Sequence, residues 1–221
     1  YMSGGLINVP VVFRGPANGG TNVGATHSHT PENFAANTPG MKVVCPASPA
    51  DAKGLIKSSI RDNDPVIFCE HKSLHHTQED VPESSYAIPF GEANILREGG
   101  DATIVAFGLM VKKSMEAASK LSKEGIQCEV IDPRTTSPLD LETIIESVEN
   151  TGRLVVVDES NPRCSIAADI SAQITEQAYE SLKGPVKMVT APHCPPPFSD
   201  VLEDLYIPSS EKIAEAVKSL N

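Results

Sequence analysis

Apolar residues fall into short continuous runs separated by stretches with helical periodicity. Residues 9–13 (VPVVF) predict a buried strand, 41–45 (MKVVC) a second ended by Pro46, and 66–69 (VIFC) a third. Ser48 can cap a helix that carries Pro49 in its first turn and runs to about Arg61. Ala52, Leu55, Ile56, Ser59 and Ile60 recur on one face of it. From residue 102 the alternation is regular. Strands are predicted at 102–107, 127–131, 153–157 and 186–190. Helices are predicted at about 111–123, from a Ser137-Pro138 cap to about 149, at about 164–182, and at 211–220 behind Ser209-Ser210. Strands alternating with helices in this way predict an α/β fold whose mainly parallel sheet is covered on both faces.

Two stretches break the pattern. Residues 15–24 (GPANGGTNVG) form a Gly/Asn-rich loop, and residues 71–90 are polar and irregular. The second stretch predicts a crossing segment between two domains, 1–85 and 86–221. The opening residues Tyr1-Met2-Ser3-Gly4-Gly5-Leu6 read like the end of a helix meeting its glycine cap, which predicts further residues upstream.

Charge narrows the partners. The 221 residues hold 18 Lys+Arg against 29 Asp+Glu, a net charge of -11, which disfavours nucleic acid and anionic membranes and favours small molecules or basic protein faces. No apolar run approaches the roughly 20 residues of a membrane span. The five cysteines are scattered and lack a C-x-x-C pair, which argues against a disulfide framework or zinc ribbon and suits a reducing, cytoplasmic setting.

Several residues are candidates for chemistry. The glycine loop could cradle a phosphate, but it lacks both the P-loop ending and a G-x-G-x-x-G turn. His27 follows it directly and can serve as acid, base or charge stabiliser; a surface or packing histidine is the alternative. His27 and His29 share strand-like spacing, without a carboxylate at regular ligand spacing. His71, His75 and His76 lie in the polar crossing stretch, where a solvated role is expected for His75 and His76. Asp158-Glu159 follow a strand at its carboxyl end, where α/β sheets bind ligands and partners. Cys164 and Ser165 stand near a helix start, without a nucleophile elbow or a neighbouring base.

Longer stretches carry a resemblance. VPVVFRGPANGG (9–20), GATHSH (24–29), PGMKVVCPASPADAKGLIKSSIRDNDPVIFCEHK (39–72), GEANILREGGDATIVAFG (91–108), IDPRTTSPLDLETI (131–144) and GRLVVVDE (152–159) occur in order. Together with the 189–217 stretch they resemble the β subunit of thiamine-diphosphate-dependent 2-oxo acid dehydrogenase E1 components. GATHSH, EHK (70–72), VDESNPRCSIAADI (157–170) and VTAPHCPPPFS (189–199) resemble the acetoin-cleaving branch most; pyruvate and branched-chain enzymes are the close alternatives.

The resemblance implies the C-terminal part of a transketolase-like pyrimidine-binding domain, followed by a transketolase C-terminal-like domain. It implies an α2β2 heterotetramer, with thiamine diphosphate and magnesium at the α/β interface and a lipoyl-bearing E2 acyltransferase as partner. His27 matches the histidine of the family's H-S-Q motif near the reacting centre; His29 stands where Gln is usual, and Asn37 stands where a second family histidine would be. The region of Val9, Val12, Asp62 and Asp64 matches where relatives hold a structural potassium ion; an ordinary helix end is the alternative. Glu203-Asp204 is a candidate E2 contact. The family's cofactor-binding glutamate has no counterpart here, so the chain by itself is expected to be inactive, and a non-catalytic scaffold subunit is the rival reading.

Overall fold

The computed structural model describes residues 2–220. Of the opening stretch, Tyr1 lies outside the described residues; Ser3 to Leu6 form a turn in which the Leu6 N–H donates to the Ser3 carbonyl, with Gly4 and Gly5 at positive φ.

The first half contains strand β1 (Val12–Ala17), short helices α1 (Gly24–His27) and α2 (Glu32–Ala36), strand β2 (Lys42–Val44), helix α3 (Pro49–Arg61) and strand β3 (Val66–His71). A 3-10 turn at Lys72–Leu74 follows. Residues 75–93 then hold no helix or strand. They run along α3 and are tied to it: Tyr86 Oη donates to the Ala50 carbonyl at 2.8 Å, and Ile88 and Phe90 pack against Val44, Leu55, Val66 and Phe68.

The second half contains β4 (Asn94–Arg97), β5 (Ala102–Ala106), α4 (Leu109–Lys123), β6 (Cys128–Asp132), β7 (Thr135–Ser137), α5 (Leu141–Thr151), β8 (Leu154–Asp158), α6 (Ile166–Gln177), β9 (Lys187–Thr190), α7 (Asp200–Tyr206) and α8 (Ser210–Lys218). Its sheet runs β4-β6-β5-β8-β9, parallel except for the antiparallel edge strand β4. Side chains alternate across it. Ile104, Val130, Val155 and Val157 face α4 and α8, meeting Met110, Leu121, Ile213 and Val217. Val105, Ile131, Leu154 and Val156 face α5 and α6, meeting Ile144, Val148, Ile170 and Ile174. Burial on both faces is why these strands read as unbroken apolar runs.

The first sheet runs β1-β3-β2-β7. Its fourth strand comes from the second half: β7 lies antiparallel to β2, with Val43 opposite Ser137 and Val44 opposite Thr135. That corrects the helix start expected at Ser137-Pro138. Those residues are committed to a sheet edge and its turn, and α5 is instead capped by Asp140, whose Oδ1 accepts the Thr143 N–H at 3.2 Å. The run at 9–13 is also corrected: Val9, Val11 and Phe13 are exposed, because β1 is the sheet's outer strand and is open on that side. The helix expected to reach Leu182 ends at Gln177, followed by a 3-10 turn at Tyr179–Ser181.

Candidate functional site

The two halves meet at the loop that leads from β1 to His27. Asn18, Gly20, Asn22 and Gly24 all adopt positive φ, which explains the Gly/Asn composition. The loop closes on itself where the Asn18 N–H donates to the His29 carbonyl at 3.0 Å.

Two buried carboxylates of the second half hold this loop from outside. Glu159, directly after β8, accepts the Gly19 N–H at 2.6 Å through Oε1. Its Oε2 lies 2.7 Å from His71 Nε2. The Ser73 N–H donates to His71 Nδ1 at 3.2 Å, so the ring proton is on Nε2 and His71 donates to Glu159. Glu203, on α7, accepts the Asn22 N–H at 2.9 Å through Oε2 and the Ser28 hydroxyl at 3.4 Å through Oε1. Both glutamates are almost fully buried. Their charges are met by hydrogen-bond donors, as buried charges require.

From the first half, Lys72 Nζ donates to the His27 carbonyl at 2.6 Å, and Ser73 Oγ donates to the Gly19 carbonyl at 3.3 Å. Burial lowers the Lys72 pKa, against the pull of Glu203 and Glu159, which raises it. His27 therefore ends a short helix whose backbone is held on both sides, while the residue itself is exposed.

His29 is exposed too, and opens onto a cleft of about 460 Å³ lined also by Asn33, Phe34, Asn37, Asn161 and Arg163. The spacing reading put His27 and His29 on one strand face. They instead lie in and just beyond the helical turn α1, and among the described residues no group of three or more His, Cys, Asp or Glu is arranged to hold a metal ion.

Beneath the loop, a space of about 20 Å³ is lined by Asn18, Glu32, Cys45, Cys69, His71, Asp158 and Glu159, among others. Burial, then the charge of Asp158, pushes the Glu32 carboxyl up to about 8. Asn18 Nδ2 donates to Glu32 Oε1 at 3.4 Å, and Glu32 Oε2 has no protein partner. Burial also raises Asp158, which accepts the Ser160 N–H at 2.8 Å and the Ser160 hydroxyl.

The other candidates are placed as follows. Asp158-Glu159 form part of the junction. His71 does not lie in the crossing segment expected at 71–90: it ends β3 and is buried against Glu159. His75 and His76 are exposed, His75 Nε2 lying 3.5 Å from Glu70 Oε2. Glu203 faces inward and is 2 % exposed, which removes it as a surface contact, whereas Asp204 is exposed. Asp62 and Asp64 both face Lys42 Nζ, at 2.6 Å and 3.1 Å, so an ammonium already stands between these carboxylates. The Val9 N–H donates to the Asn63 carbonyl at 3.0 Å, and Val12 pairs with Val66 in the sheet. Sequence reasoning missed the roles of Lys72, Glu32 and Glu203.

The family model of the transketolase pyrimidine-binding domain matches residues 1–77, and that of the transketolase C-terminal domain matches residues 91–213. The structure is similar to a split-gene transketolase described as an inactive β4 tetramer, with a TM-score of 0.80 at 25% identity over 96% of this chain and 67% of that one. The fold and its two domain types thus define a protein of the transketolase class. The chain belongs within it to the family of E1 β subunits of thiamine-diphosphate-dependent 2-oxo acid dehydrogenases. It is 57% identical over 218 residues to the β subunit of the acetoin:2,6-dichlorophenolindophenol oxidoreductase of Cupriavidus necator, covering 99% of this chain and 64% of that protein. It is 46% identical over 220 residues to the Bacillus subtilis protein of the same description, again covering 64% of it. It is 45% identical over 221 residues to the Bacillus subtilis pyruvate dehydrogenase E1 component subunit beta, covering 68% of it. The chain thus spans about two thirds of the length of these relatives.

Proposed function

We propose that this chain works as part of the β subunit of an E1 enzyme that cleaves acetoin and passes the oxidised two-carbon unit to a lipoyl group on an E2 acyltransferase. The 57% identity to an acetoin oxidoreductase β subunit supports acetoin. The 45% identity to a pyruvate dehydrogenase β subunit supports the alternative, a pyruvate or branched-chain 2-oxo acid substrate. The reading includes an α subunit in an α2β2 assembly, a cytoplasmic location, and two domains at 1–85 and 86–221.

One observation carries the catalytic part. His27 is exposed at the end of a loop whose backbone is fixed by Glu159, Glu203 and Lys72. Thiamine diphosphate, when bound, supplies the carbanion chemistry, and the protein supplies position and electrostatics. The residues present fit one side of such a site. The carboxylates that touch the loop are engaged by Gly19, Asn22, Ser28 and His71, so the reading places the diphosphate and magnesium on the α subunit. His27 is left to bind, orient or exchange a proton with the reacting group. A potassium ion at the carbonyls of Val9 and Val12 would share Asp62 and Asp64 with Lys42.

The test is His27→Ala in the complete β subunit assembled with its α partner, thiamine diphosphate and magnesium, with dye reduction as the readout. Loss of acid–base help lowers turnover at least about tenfold. Unchanged turnover removes His27 from the mechanism.

A further inference from the structure

We infer that Glu203 is a positioning residue for the reaction, clamping the His27 loop from the opposite half of the molecule. The inference rests on the proposed role of His27 and goes beyond it by naming what sets that histidine's place.

Glu203 sits on α7, a seven-residue helix, and is 2 % exposed. A glutamate on so short a surface helix would normally point to solvent, and burying its charge has a large desolvation cost. This one turns inward because its two oxygens have donors there. The Asn22 N–H and the Ser28 hydroxyl stand on either side of α1, so one carboxylate grips both ends of the four-residue helix that terminates in His27. Asn22 stands at φ +55° ahead of α1, outside the helix's own hydrogen bonds, and its N–H donates to Glu203. Gly24, the first residue of α1, lies against Phe198: a Cβ at Gly24 would come within 3.2 Å of the Phe198 ring. The segment leading into α7 therefore seats the start of α1 by shape, and Glu203 fixes it by charge. Lys72 completes the arrangement. Its ammonium feels the charge of Glu203 and donates to the His27 carbonyl at 2.6 Å, so the charge that grips the helix also steadies the cation at its end. Glu203 touches no part of His27's side chain in this set of bonds; it acts through the backbone.

The geometry gives different expectations for two substitutions. Gln keeps a carbonyl oxygen for the Asn22 N–H and offers its amide to the Ser28 hydroxyl. Ala leaves the part-buried Asn22 N–H and the buried Ser28 hydroxyl without their shared acceptor and releases the loop.

The experiment is a double-mutant cycle in the complete α/β assembly with thiamine diphosphate and magnesium. It measures kcat and KM for acetoin and for pyruvate by dye reduction. We expect Glu203→Ala to lower kcat about tenfold with KM changed less than threefold, Glu203→Gln to recover most of that loss, and Glu203→Ala to have no further effect in a His27→Ala background. A Glu203→Ala enzyme with full kcat beside an impaired His27→Ala enzyme overturns the clamp and leaves the role of His27 standing. An effect of Glu203→Ala that persists undiminished in the His27→Ala background also overturns the clamp. Full turnover of His27→Ala overturns the reading of the site itself. If Glu203→Ala does not fold, the half-exposed Lys72→Met is run through the same cycle. A kcat loss that vanishes in the His27→Ala background supports the clamp, and an unchanged kcat overturns it.

Discussion

His71 donates its Nε2 proton to Glu159 Oε2 across 2.7 Å, deep between the two sheets. The histidine ends β3 and the glutamate follows β8, so a single bond joins strands from opposite halves of the chain. The other oxygen of Glu159 accepts Gly19 of the candidate site, and the domain junction and the site are thereby one piece of structure.

The first prediction follows from that sharing. Glu159→Ala leaves two buried donors, His71 Nε2–H and the Gly19 N–H, without an acceptor. At about 1–3 kcal/mol for each unsatisfied buried group, the loss is about 2–6 kcal/mol. Urea denaturation of the purified protein measures it; a loss below about 0.5 kcal/mol contradicts the assignment.

Glu32 gives a pH dependence with a defined sign. The folded protein holds its carboxyl proton up to about pH 8, whereas the unfolded chain releases it near the ordinary value of 4.5. Between those values the folded state carries the extra proton, so this group's contribution to stability falls as pH rises. Glu32 faces Asp158 at the end of β8 and Glu159 just beyond it, Asn18 after β1, Cys45 after β2, and Cys69 and His71 on β3. Glu32→Gln removes the titration and keeps an acceptor for Asn18. The melting temperature of the variant relative to the parent should rise from about pH 5 to about pH 8 and then level off. Asp132, raised to about 7 by burial, is present in both proteins and cancels in the difference. A pH-independent difference would remove Glu32 as the titrating group.

Gly20 tests the loop from its own backbone. It adopts φ +90°, and a Cβ there would collide with the Ser73 hydroxyl, which donates to the Gly19 carbonyl. A non-glycine residue in this conformation costs about 1–2 kcal/mol before the collision is counted. Gly20→Ala should therefore destabilise the protein and lower turnover of the assembled enzyme. Gly100→Ala is the control, because a Cβ at Gly100 meets nothing within 4 Å. Equal behaviour of the two variants would show that the loop's shape does not matter.

The parts legible in the sequence share one property: their signal is local. The second sheet was readable because β5, β6 and β8 are buried on both faces, and α3 and α8 because Ser48 and Ser209 accept backbone N–H groups at their starts. The α7 helix escaped because Val201, Leu202 and Leu205 are exposed while its glutamate is buried, the reverse of the usual pattern. Ser137-Pro138 looked like a helix start because that dipeptide suits one; pairing with Val43 and Val44, far away in sequence, decided otherwise. His27 and Asp158-Glu159 were found by position after a glycine loop and after a strand. Nothing local to Glu159, His71, Lys72 or Glu203 shows that they meet the same loop, since Gly19 and Glu159 are 140 residues apart.

The most direct test of the account uses the complete β subunit co-expressed with its α partner. Acetoin, pyruvate and a branched-chain 2-oxo acid are compared side by side for dye reduction with thiamine diphosphate and magnesium. The account predicts that kcat/KM for acetoin exceeds that for either 2-oxo acid by at least about tenfold, a difference of ~1.4 kcal/mol in transition-state stabilisation. A preference for pyruvate or the branched-chain acid contradicts the acetoin assignment, and no reduction with any of the three in a folded α2β2 assembly contradicts the enzymatic reading altogether.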